Sequence, residues 1–478
     1  MQTKPIASER IEDHALDKVP DGERHTWLDI SWSTVGVVTT LIQLYVGALV
    51  TFVAGMKVGL LGGLIVAVIG SLLGWGTGHI AYKSGLSSSM MSRIYGFGVK
   101  GSIITSFIFG FMIIGFIAAE NVLLYKGFLF YFEAQDTLTN QLIIYGLLTL
   151  AWVLLTAYGF EAVTKVSSLM LIGFLLILFY MMFQIIAGSG LAFGEVISFD
   201  AQFPQEMLES LGATTDSGKL FFCINLLAGS AGALALLDAD LGRYARSSAD
   251  IGIAAFLGNF ALDVLMIFIG GAIMYAGMPA LIEYYTSVGG LSEAEAMQVA
   301  VENPDRIAAA FIVFGGVLGT VLMIAAQSKA QVLNTYSSSL SLANFFDAIF
   351  SWRPGRFLFV ILANLLSLLF LYGELLNWFN DFLIILGILT MSFAGIMLAD
   401  YFIVRPLLGQ NDTEKYGAET ANWAGIISIP VAFVLAHYVL NTVIQIEILT
   451  ALAVAFIVYP LLRLSVFKPT KSPLNNFR

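Results

Sequence analysis

The sequence predicts an all-α integral membrane protein with about twelve transmembrane helices. Of its 478 residues, 58% are apolar and only 12% are charged, and the mean hydropathy is +0.84. A soluble domain carries about 25% charged residues. Apolar stretches of roughly 20 residues, each long enough to cross the hydrocarbon core as a helix, recur along the whole chain. These two observations define the fold class.

Twelve predicted spans, numbered 1 to 12 in chain order, follow from these stretches. Span 8 is expected to continue irregularly to residue 345. No linker or shift in composition divides the chain, so we expect one transmembrane domain over 31–463, with cytoplasmic tails at 1–30 and 464–478. The approximate limits of the spans are 31–54, 59–82, 101–125, 142–160, 166–187, 219–241, 251–276, 308–328, 357–373, 378–402, 424–440 and 443–463.

The distribution of basic residues predicts that both termini are cytoplasmic. Eighteen of the 23 lysines and arginines fall in segments on the same side as the N-terminus, and only four fall on the other side. Cytoplasmic loops retain Lys and Arg. The first 27 residues are polar and contain no apolar core of a cleavable signal. No basic patch with interleaved aromatic residues suggests a nucleic-acid partner.

Spans 1 and 6 carry glycine and amide residues in the middle of the membrane. Glycine-interrupted helices at matched positions of two five-helix halves are typical of inverted-repeat transporters with a midplane site. We therefore predict that helices 1 and 6 are interrupted. The alternative is that the glycines only permit close helix packing. The residues concerned are Gln43 and Gly47 in span 1, and Asn225, Gly229, Ser230 and Gly232 in span 6.

Two ionisable residues, Glu120 and Lys329, lie well inside predicted spans. A charge at this depth costs several kcal/mol unless it is paired or hydrated, so each is a candidate functional residue. Glu120 adjoins Asn121 and shares a helical face with Phe116 and Ile113. It could hold a proton, bind a substrate N–H group or neutralise Lys329. The alternative is a carboxyl group near the outer interface that bonds a neighbouring helix.

Charged residues also gather at the cytoplasmic end of span 6. Asp238, Asp240, Arg243 and Arg246 are expected to form a hydrated ion-pair cluster that shapes an inner gate, with Asp240 and Arg243 as its central pair.

Four segments, in order, carry a family resemblance. They are GLSSSMMSRIYGFGVKGS (85–102), GSAGALALLDADLGRYAR (229–246), YSSSLSLAN (336–344) and LADYFIVR (398–405). These segments resemble motifs of the nucleobase–cation symporter family, also called the purine-cytosine permeases, and in particular its bacterial cytosine permeases.

The resemblance implies a leucine-transporter-like fold, with a 5+5 inverted repeat followed by two C-terminal helices. It implies a secondary active transporter in a bacterial cytoplasmic membrane that imports a nucleobase or related nitrogen heterocycle by alternating access, with no cofactor. Family members hold the ring between aromatic residues of helices 3 and 6. Here the helix 6 serine corresponds to Ser230, but the aromatic after it corresponds to Ala231. The helix 3 tryptophan corresponds to Phe116, and a glutamine of cytosine-type members to Ile113.

Span 8 adds three polar residues with helical spacing, Gln327, Gln331 and Asn334, which fall near one face. They are candidates to read the edge of a ring, although a polar seam between helices would have the same pattern. We therefore expect the substrate to contact Gln43, Phe116, Glu120, Asn121, Asn225, Ser230, Ala231, Gln327, Gln331 and Asn334.

The clearest departure from the family lies upstream of Tyr336. Cytosine-type members have two threonines seven and six residues before this tyrosine, which help to bind sodium; here the residues are Lys329 and Ala330. A hard cation needs several oxygen ligands, whereas an ammonium could donate to helix 1 carbonyls near Thr39 to Gln43. The hypothesis is a sodium-independent, proton-coupled transporter with Lys329 and Glu120 as ion-coupling residues. A lysine that reaches water by snorkelling, or a sodium-coupled symporter, is the alternative.

Other functional classes find less support. The four histidines are scattered, no HExxH motif occurs, and no catalytic or metal-ligating cluster emerges, so an enzyme or metal site is not expected. A channel would need a continuous pore lining or a filter repeat. An amine or amino-acid transporter on the same fold is permitted by Glu120, but the family motifs disfavour it.

Overall fold

The computed structural model describes residues 14–157, 160–302, 307–372, 378–410 and 418–469. Within these ranges the protein is helical, and its single β-bridge joins His25 to Ala245. Nine of the described helices are long and apolar enough to span a membrane, and a bent pair makes a tenth. The all-helical membrane fold is therefore confirmed.

The bent pair is helix 1, which consists of α1a (Trp27–Val38) and α1b (Leu41–Ala54) at 62° to each other. Thr39 and Thr40 leave the helical conformation between them. The Thr40 side chain then caps α1b by accepting a hydrogen bond from the Gln43 amide. The predicted interruption of span 1 is present, and two threonines rather than Gly47 form it.

The remaining spans follow the predicted order, and their labels keep the numbers of the predicted spans. Helices α7, α10 and α11 each contain a π-helical turn, at Ala261–Leu265, Asp400–Val404 and Leu435–Leu440. The helices are α2 (Met56–Ser84), α3 (Gly98–Tyr131), α4 (Leu138–Thr156), α5 (Phe160–Gly188), α6 (Asp216–Gly242), α7 (Ser248–Ser287), α8 (Val317–Phe350), α9 (Arg356–Tyr372), α10 (from Phe379 to Leu408), α11 (Trp423–Leu440) and α12 (Glu447–Ser465).

Shorter helices connect these spans. Ser88–Ile94, here called the inner connecting helix, lies between α2 and α3. Phe193–Val196 and Gln205–Ser210 lie between α5 and α6, and Glu293–Glu302 and Ile307–Gly315 lie between α7 and α8.

Helix 8 differs from its prediction. The apolar segment expected to begin it, Ile307–Gly315, is a separate short helix that ends before Gly316, whose φ is +51°. The part expected to be irregular is a regular helix from Val317 to Phe350. Its polar side chains are buried against α3 and α5. Polarity at this depth therefore reflects helix contacts and not irregular backbone.

Helix 6 also differs, because α6 is one unbroken α-helix from Asp216 to Gly242. The prediction that its glycines interrupt it was wrong. A Cβ on Gly229 would lie 2.7 Å from the Leu383 carbonyl oxygen, and one on Gly232 would lie 2.9 Å from Thr390 Oγ1. The glycines bring α6 against the backbone of α10, which is the packing role of small residues in membrane helices.

The helices form two packed groups. Helices α1, α2, α6 and α7 contact one another, and α3, α4, α8 and α9 form the second group. Helix α5 contacts α1a and α8, while α10 packs on α6 and α12. The break in α1 therefore lies where the two groups meet.

The N-terminal segment from His14 to Thr26 packs on the ends of the helices at one face of the protein, which is here called the inner face. The Val19 amide donates to the Gly85 carbonyl at 2.9 Å, and the His25 amide donates to the Tyr244 carbonyl at 2.6 Å. The second half of the predicted N-terminal tail is thus folded onto the domain. Residues 1–13 and 470–478 of the predicted tails lie outside the described residues.

The contact between α6 and α10 can be tested at Gly229. We expect Gly229→Ala to lower the free energy of unfolding by about 1–3 kcal/mol, because the added methyl group overpacks a backbone contact. Thermal unfolding of the detergent-solubilised protein measures the change.

Gly146→Ala in α4 is the matched control, because nothing lies within 4 Å of its added Cβ. That variant should be neutral, or more stable by about 0.5–1 kcal/mol through the gain in helix propensity. Equal stability of the two variants would contradict the packing role of Gly229.

Candidate functional site

A small cavity lies beside the break in helix 1, between the two helix groups. It measures about 30 Å³, which is room for one or two water molecules. A ring-shaped ligand therefore requires movement of the surrounding helices or side chains. Its lining residues are Val37, Val38, Gln43, Ile113, Phe116, Glu120, Ser230, Ala233, Leu234, Leu237, Leu262 and Asn334.

Four polar side chains converge on this cavity: Gln43 from α1b, Glu120 from α3, Ser230 from α6 and Asn334 from α8. Glu120 Oε2 and Ser230 Oγ are buried and have no hydrogen-bond partner. Unpaired buried polar atoms are costly. A cavity with few polar groups among apolar walls is the usual form of a small-molecule site.

The aromatic contribution to the cavity comes from α3 alone. Phe116 lines it, and behind Phe116 lie two rings of α10, Phe379 and Phe382, each with its centroid 6.2 Å away in edge-to-face geometry. Tyr45 of α1b contacts Phe379 from the other side at 6.3 Å. Aromatic side chains therefore do surround Phe116, but they come from α10 and not from α6.

Three of the expected contact residues form a seam between helices instead of lining the cavity. Gln331 Nε2 donates to the Ile117 carbonyl at 2.9 Å and to Asn121 Oδ1 at 3.0 Å, and the Trp152 indole donates to the same oxygen at 2.9 Å. Gln327 Nε2 donates to the Glu120 carbonyl at 3.0 Å. These bonds hold α8 against α3 and α4.

Two expected residues of α6 also lie away from the cavity. Asn225 is near the outer end of the helix, where its amide donates to the Gln445 carbonyl at 2.7 Å. Ala231 faces α2, because a Cβ on Gly70 would lie 3.1 Å from the Ala231 Cβ. Ala231 therefore does not line the cavity, although it was expected to contact the substrate.

The Lys329 ammonium lies at the break in helix 1. The side chain is fully buried, and Nζ donates to the Gly36 carbonyl at 3.0 Å and to the Thr39 carbonyl. The last carbonyls of a helix have no intrahelical partner and carry partial negative charge, so the end of α1a is a suitable site for a cation. The Phe174 ring of α5 lies 4.3 Å from Nζ and adds a cation–π contact.

Glu120 connects this cation to the cavity. Its carboxyl accepts a hydrogen bond from the Thr40 hydroxyl and interacts electrostatically with Lys329. Thr40 also caps α1b, so the break in helix 1, the buried lysine and the acidic cavity residue form one polar unit. This unit contains the Lys329 ammonium and the Glu120 carboxyl group. Glu120 lines the cavity, and its Oε2 has no hydrogen-bond partner.

Asp238, Asp240 and Arg243 at the inner end of α6 are buried, which contradicts the prediction of a hydrated cluster for these three residues, whereas Arg246 is exposed. Asp240 accepts bonds from the amide and hydroxyl groups of Ser88, each at 2.8 Å. Arg243 donates to the Tyr336 hydroxyl at 2.5 Å and to the His14 carbonyl at 2.8 Å. These two residues therefore tie the end of α6 to the inner connecting helix, to α8 and to the N-terminal segment.

A second buried ion pair fixes the inner connecting helix to α8. Arg93 contacts Asp347 at 2.7 Å and donates to Asn344 Oδ1 at 2.5 Å. Arg353, in the loop after α8, also bonds Asp347, and this bond raises the pKa of the Arg353 guanidinium. The inner connecting helix and the inner end of α8 are thereby held together. On α10, Asp400 and Arg405 form an ion pair at 3.0 Å.

Several lining residues are not obvious from the sequence. Ala233, Leu234 and Leu237 follow Ser230 at helical spacings of three, four and seven, so a continuous α6 would have indicated them. Val37 and Val38 adjoin the break in helix 1. Leu262 has no feature in the sequence that would have indicated its position at the cavity.

Comparisons with known proteins agree with this architecture. The family model described as a permease for cytosine/purines, uracil, thiamine, allantoin matches residues 19–461. No curated protein sequence matches the chain.

Solved structures show the same fold at low sequence identity. Mhp1, a nucleobase-cation-symport-1 family transporter in a closed conformation with bromovinylhydantoin bound, is 17% identical with a TM-score of 0.69, over 93% of each chain. A Na⁺-coupled sialic acid symporter is 13% identical with a TM-score of 0.59, over 95% of this chain and 92% of that one. MhsT in complex with L-phenylalanine is 16% identical with a TM-score of 0.54, over 93% of this chain and all of that one.

These likenesses confirm the leucine-transporter-like fold, and the family match covers nearly the whole chain. The protein is therefore a transporter and not an enzyme, and it belongs to the family of permeases for cytosine/purines, uracil, thiamine and allantoin.

Proposed function

We propose that this protein imports a nucleobase or a related small nitrogen heterocycle by alternating access, without sodium and coupled to protons. The cavity between the two helix groups is the substrate site in this proposal. Gln43, Glu120, Ser230 and Asn334 would read the edge of the ring, and Phe116 would contact its face. The family match supports the substrate class.

Alternating access is supported by the fold. Mhp1 has been captured in a closed conformation with bromovinylhydantoin and in an inward-facing conformation. In this protein the buried contacts of Asp240 and Arg243 would have to separate before the cavity reaches the cytoplasm. The cavity of about 30 Å³ fits a closed state of such a cycle.

The observation that carries sodium independence is the position of Lys329. Its buried ammonium donates to the Gly36 and Thr39 carbonyls at the break in helix 1. An ammonium there neutralises the end of α1a and competes with any free cation for the same oxygens. If this fixed cation replaces sodium, a proton gradient would supply the energy for uptake. Glu120 and Lys329 would then be the groups that bind and release the protons.

The proposal also includes the orientation and location of the protein. The excess of lysine and arginine on one side supports cytoplasmic termini. The resemblance to bacterial cytosine permeases supports a bacterial cytoplasmic membrane.

A thermal-shift screen of the purified protein tests the substrate class. A compound that binds only the folded state must raise its melting temperature. We expect a purine, a pyrimidine, hydantoin or allantoin to give the largest shift. A larger shift with a small organic amine would instead favour an amine transporter, which the free oxygen of Glu120 would also suit.

Coupling can be tested in proteoliposomes with the compound that gives the largest shift. We expect uptake without sodium and no stimulation by an inward sodium gradient. Lys329→Ala should lower uptake about tenfold or more, because it leaves buried acceptors without their cation. Lys57→Ala, which is exposed at the start of α2, is the matched control and should keep full uptake.

A double variant sharpens this test. Lys329→Thr combined with Ala330→Thr supplies hydroxyl ligands beside the same carbonyls and should restore uptake only when sodium is present. A wild-type protein that requires sodium, or full activity of Lys329→Ala without sodium, would contradict the proposal.

The free oxygen of Glu120 predicts a preference for a ring edge with adjacent N–H donors. Guanine has this edge, whereas hypoxanthine lacks the 2-amino group. We expect guanine to bind about tenfold more tightly, because a hydrogen bond to a charged group contributes about 1.5–3 kcal/mol. Isothermal titration of both purines measures the ratio.

Glu120→Gln should remove the preference for guanine, and Glu133→Gln, exposed just after α3, should keep it. If hypoxanthine binds as well as guanine in the wild type, Glu120 does not contact the substrate edge.

A further inference from the structure

A second buried acid, Asp238, lies close to the substrate cavity but does not line it. Its neighbours Leu234 and Leu237 on α6 do line the cavity. Asp238 is fully buried and faces α1a, α2 and α7. Its Oδ1 is 3.4 Å from the Thr34 hydroxyl of α1a, and its Oδ2 abuts Gly74 of α2. Nothing in the proposed coupling by Lys329 and Glu120 uses this residue.

The surroundings of Asp238 suit an uncharged acid. Among the residues that the structure describes, Thr34 is its hydrogen-bond partner, and Oδ2 has none. An ionised carboxylate held by one long hydrogen bond in an apolar pocket would cost several kcal/mol. The space beside Oδ2 admits no side chain on α2, because an added Cβ on Gly74 would overlap that oxygen and would lie 3.0 Å from the Ala255 Cβ.

Asp240, two residues further on, provides an internal comparison. It accepts two hydrogen bonds from Ser88 at 2.8 Å and interacts with Arg243, so its negative charge is compensated. Asp238 and Asp240 therefore share a helix and a depth, and each has an Oδ2 without a hydrogen-bond partner, but only Asp240 has two hydrogen-bond donors of Ser88 and an arginine beside its carboxyl group.

Asp263 of α7 is also buried, and neither of its carboxyl oxygens has a hydrogen-bond partner. Other titratable groups of the helices around Asp238, nearer the inner surface, have partners of their own. Asp29 of α1a accepts from the Thr26 hydroxyl, and Asp250 of α7 accepts from the Trp27 amide and from Ser247. His79 of α2 bonds Ser248 at 2.8 Å. On α6 the nearest such groups are Asp240 and Arg243, which contact the inner connecting helix and α8. None of these groups competes for the proton of Asp238.

We propose that Asp238 is a proton-binding site whose exchange with the cytoplasm is controlled by the inner half of helix 1. While α1a packs on α6, the Asp238 carboxyl keeps its proton and hydrogen-bonds Thr34. When α1a moves away, Thr34 leaves with it and water reaches the carboxyl. The O–H bond of the acid then breaks, the proton passes to water on the cytoplasmic side, and a hydrated carboxylate remains on α6.

This site deepens the proposed proton coupling, but its existence does not depend on sodium independence or on the substrate. The break between α1a and α1b is the hinge that would allow α1a to move by itself. Because Asp238 contacts α1a directly, its ionisation would favour the open inner side, and its protonation would favour the closed one.

Infrared spectroscopy of the lipid-reconstituted protein in D₂O tests the protonation state. A protonated carboxyl has a C=O stretch that is separate from the carboxylate bands. At neutral pH we expect Asp238→Asn to lose the intensity of one protonated carboxyl, whereas Asp240→Asn, the matched control, loses none. Asp263, also buried with both oxygens unpartnered, contributes its own intensity, which stays the same in both variants.

Thr34→Val provides a second variant in case Asp238→Asn does not fold. It should keep the intensity of the Asp238 band and shift its frequency, because the hydrogen bond to the threonine is lost. An unchanged band in both Asp238→Asn and Thr34→Val would overturn the proposal, since Asp238 would then be ionised.

Thiol labelling tests the control by helix 1. Ala255→Cys, in a Cys223→Ser background, places a thiol beside Asp238. We expect its labelling by a membrane-impermeant maleimide to rise more steeply with pH than in the same protein carrying Asp238→Asn, although an ionised Asp238 beside the thiol would by itself disfavour the reactive thiolate. Identical pH profiles in the two backgrounds would overturn the link between Asp238 and opening.

Discussion

The ammonium of Lys329 at the break of helix 1 is the interaction on which the rest of the site depends. A broken helix in a membrane exposes carbonyls that water cannot reach, so some positive group must compensate them. Here a side chain of α8 does so, and it ties α8 to α1a across the interface of the two helix groups. The same break supplies Thr40, which caps α1b and holds Glu120. Removing the cation would therefore disturb the helix end, the acid and the cavity together.

The fold was predictable from the sequence because membrane spans are long apolar segments with few alternatives. The order of the helices and the interruption of helix 1 agree with the structure, in which nine described helices and one bent pair are long and apolar enough to span a membrane. The errors at helices 6 and 8 have one cause, which is that glycine and polar residues have two uses in a membrane helix. Gly229 allows the backbone of α6 to contact α10, and Gln331 forms a hydrogen bond with α3. Neither residue interrupts its helix. A single sequence does not show which neighbouring helix faces a residue.

The site was predictable only in part, for a similar reason. Gln43, Phe116, Glu120, Ser230 and Asn334 line the cavity, whereas Asn121, Asn225, Ala231, Gln327 and Gln331 do not. The ten residues were selected because they are polar residues inside a span or correspond to substrate-contacting positions of the family. The rotation of each helix about its own axis decides whether such a residue faces the cavity or a neighbouring helix. Ser230 and Ala231 are adjacent, and a turn of about 100° separates a cavity wall from a contact with α2. Phe379 and Phe382 were missed because they belong to a helix that no motif connected to the site.

Because α6 is unbroken, the first helix of the second repeat lacks the joint that divides helix 1, the first helix of the first repeat. Helix 1 has a joint at Thr39 and Thr40, so its two halves can rotate independently, while α6 transmits any tilt along its entire length. Gly229 and Gly387 bring the backbones of α6 and α10 into contact, so a tilt of α6 must carry α10 with it. In the proposed alternating access, the inner side would open by bending one half-helix, whereas the outer side would open by moving a pair of whole helices. Opening toward the two faces of the membrane is therefore expected to have different energy barriers.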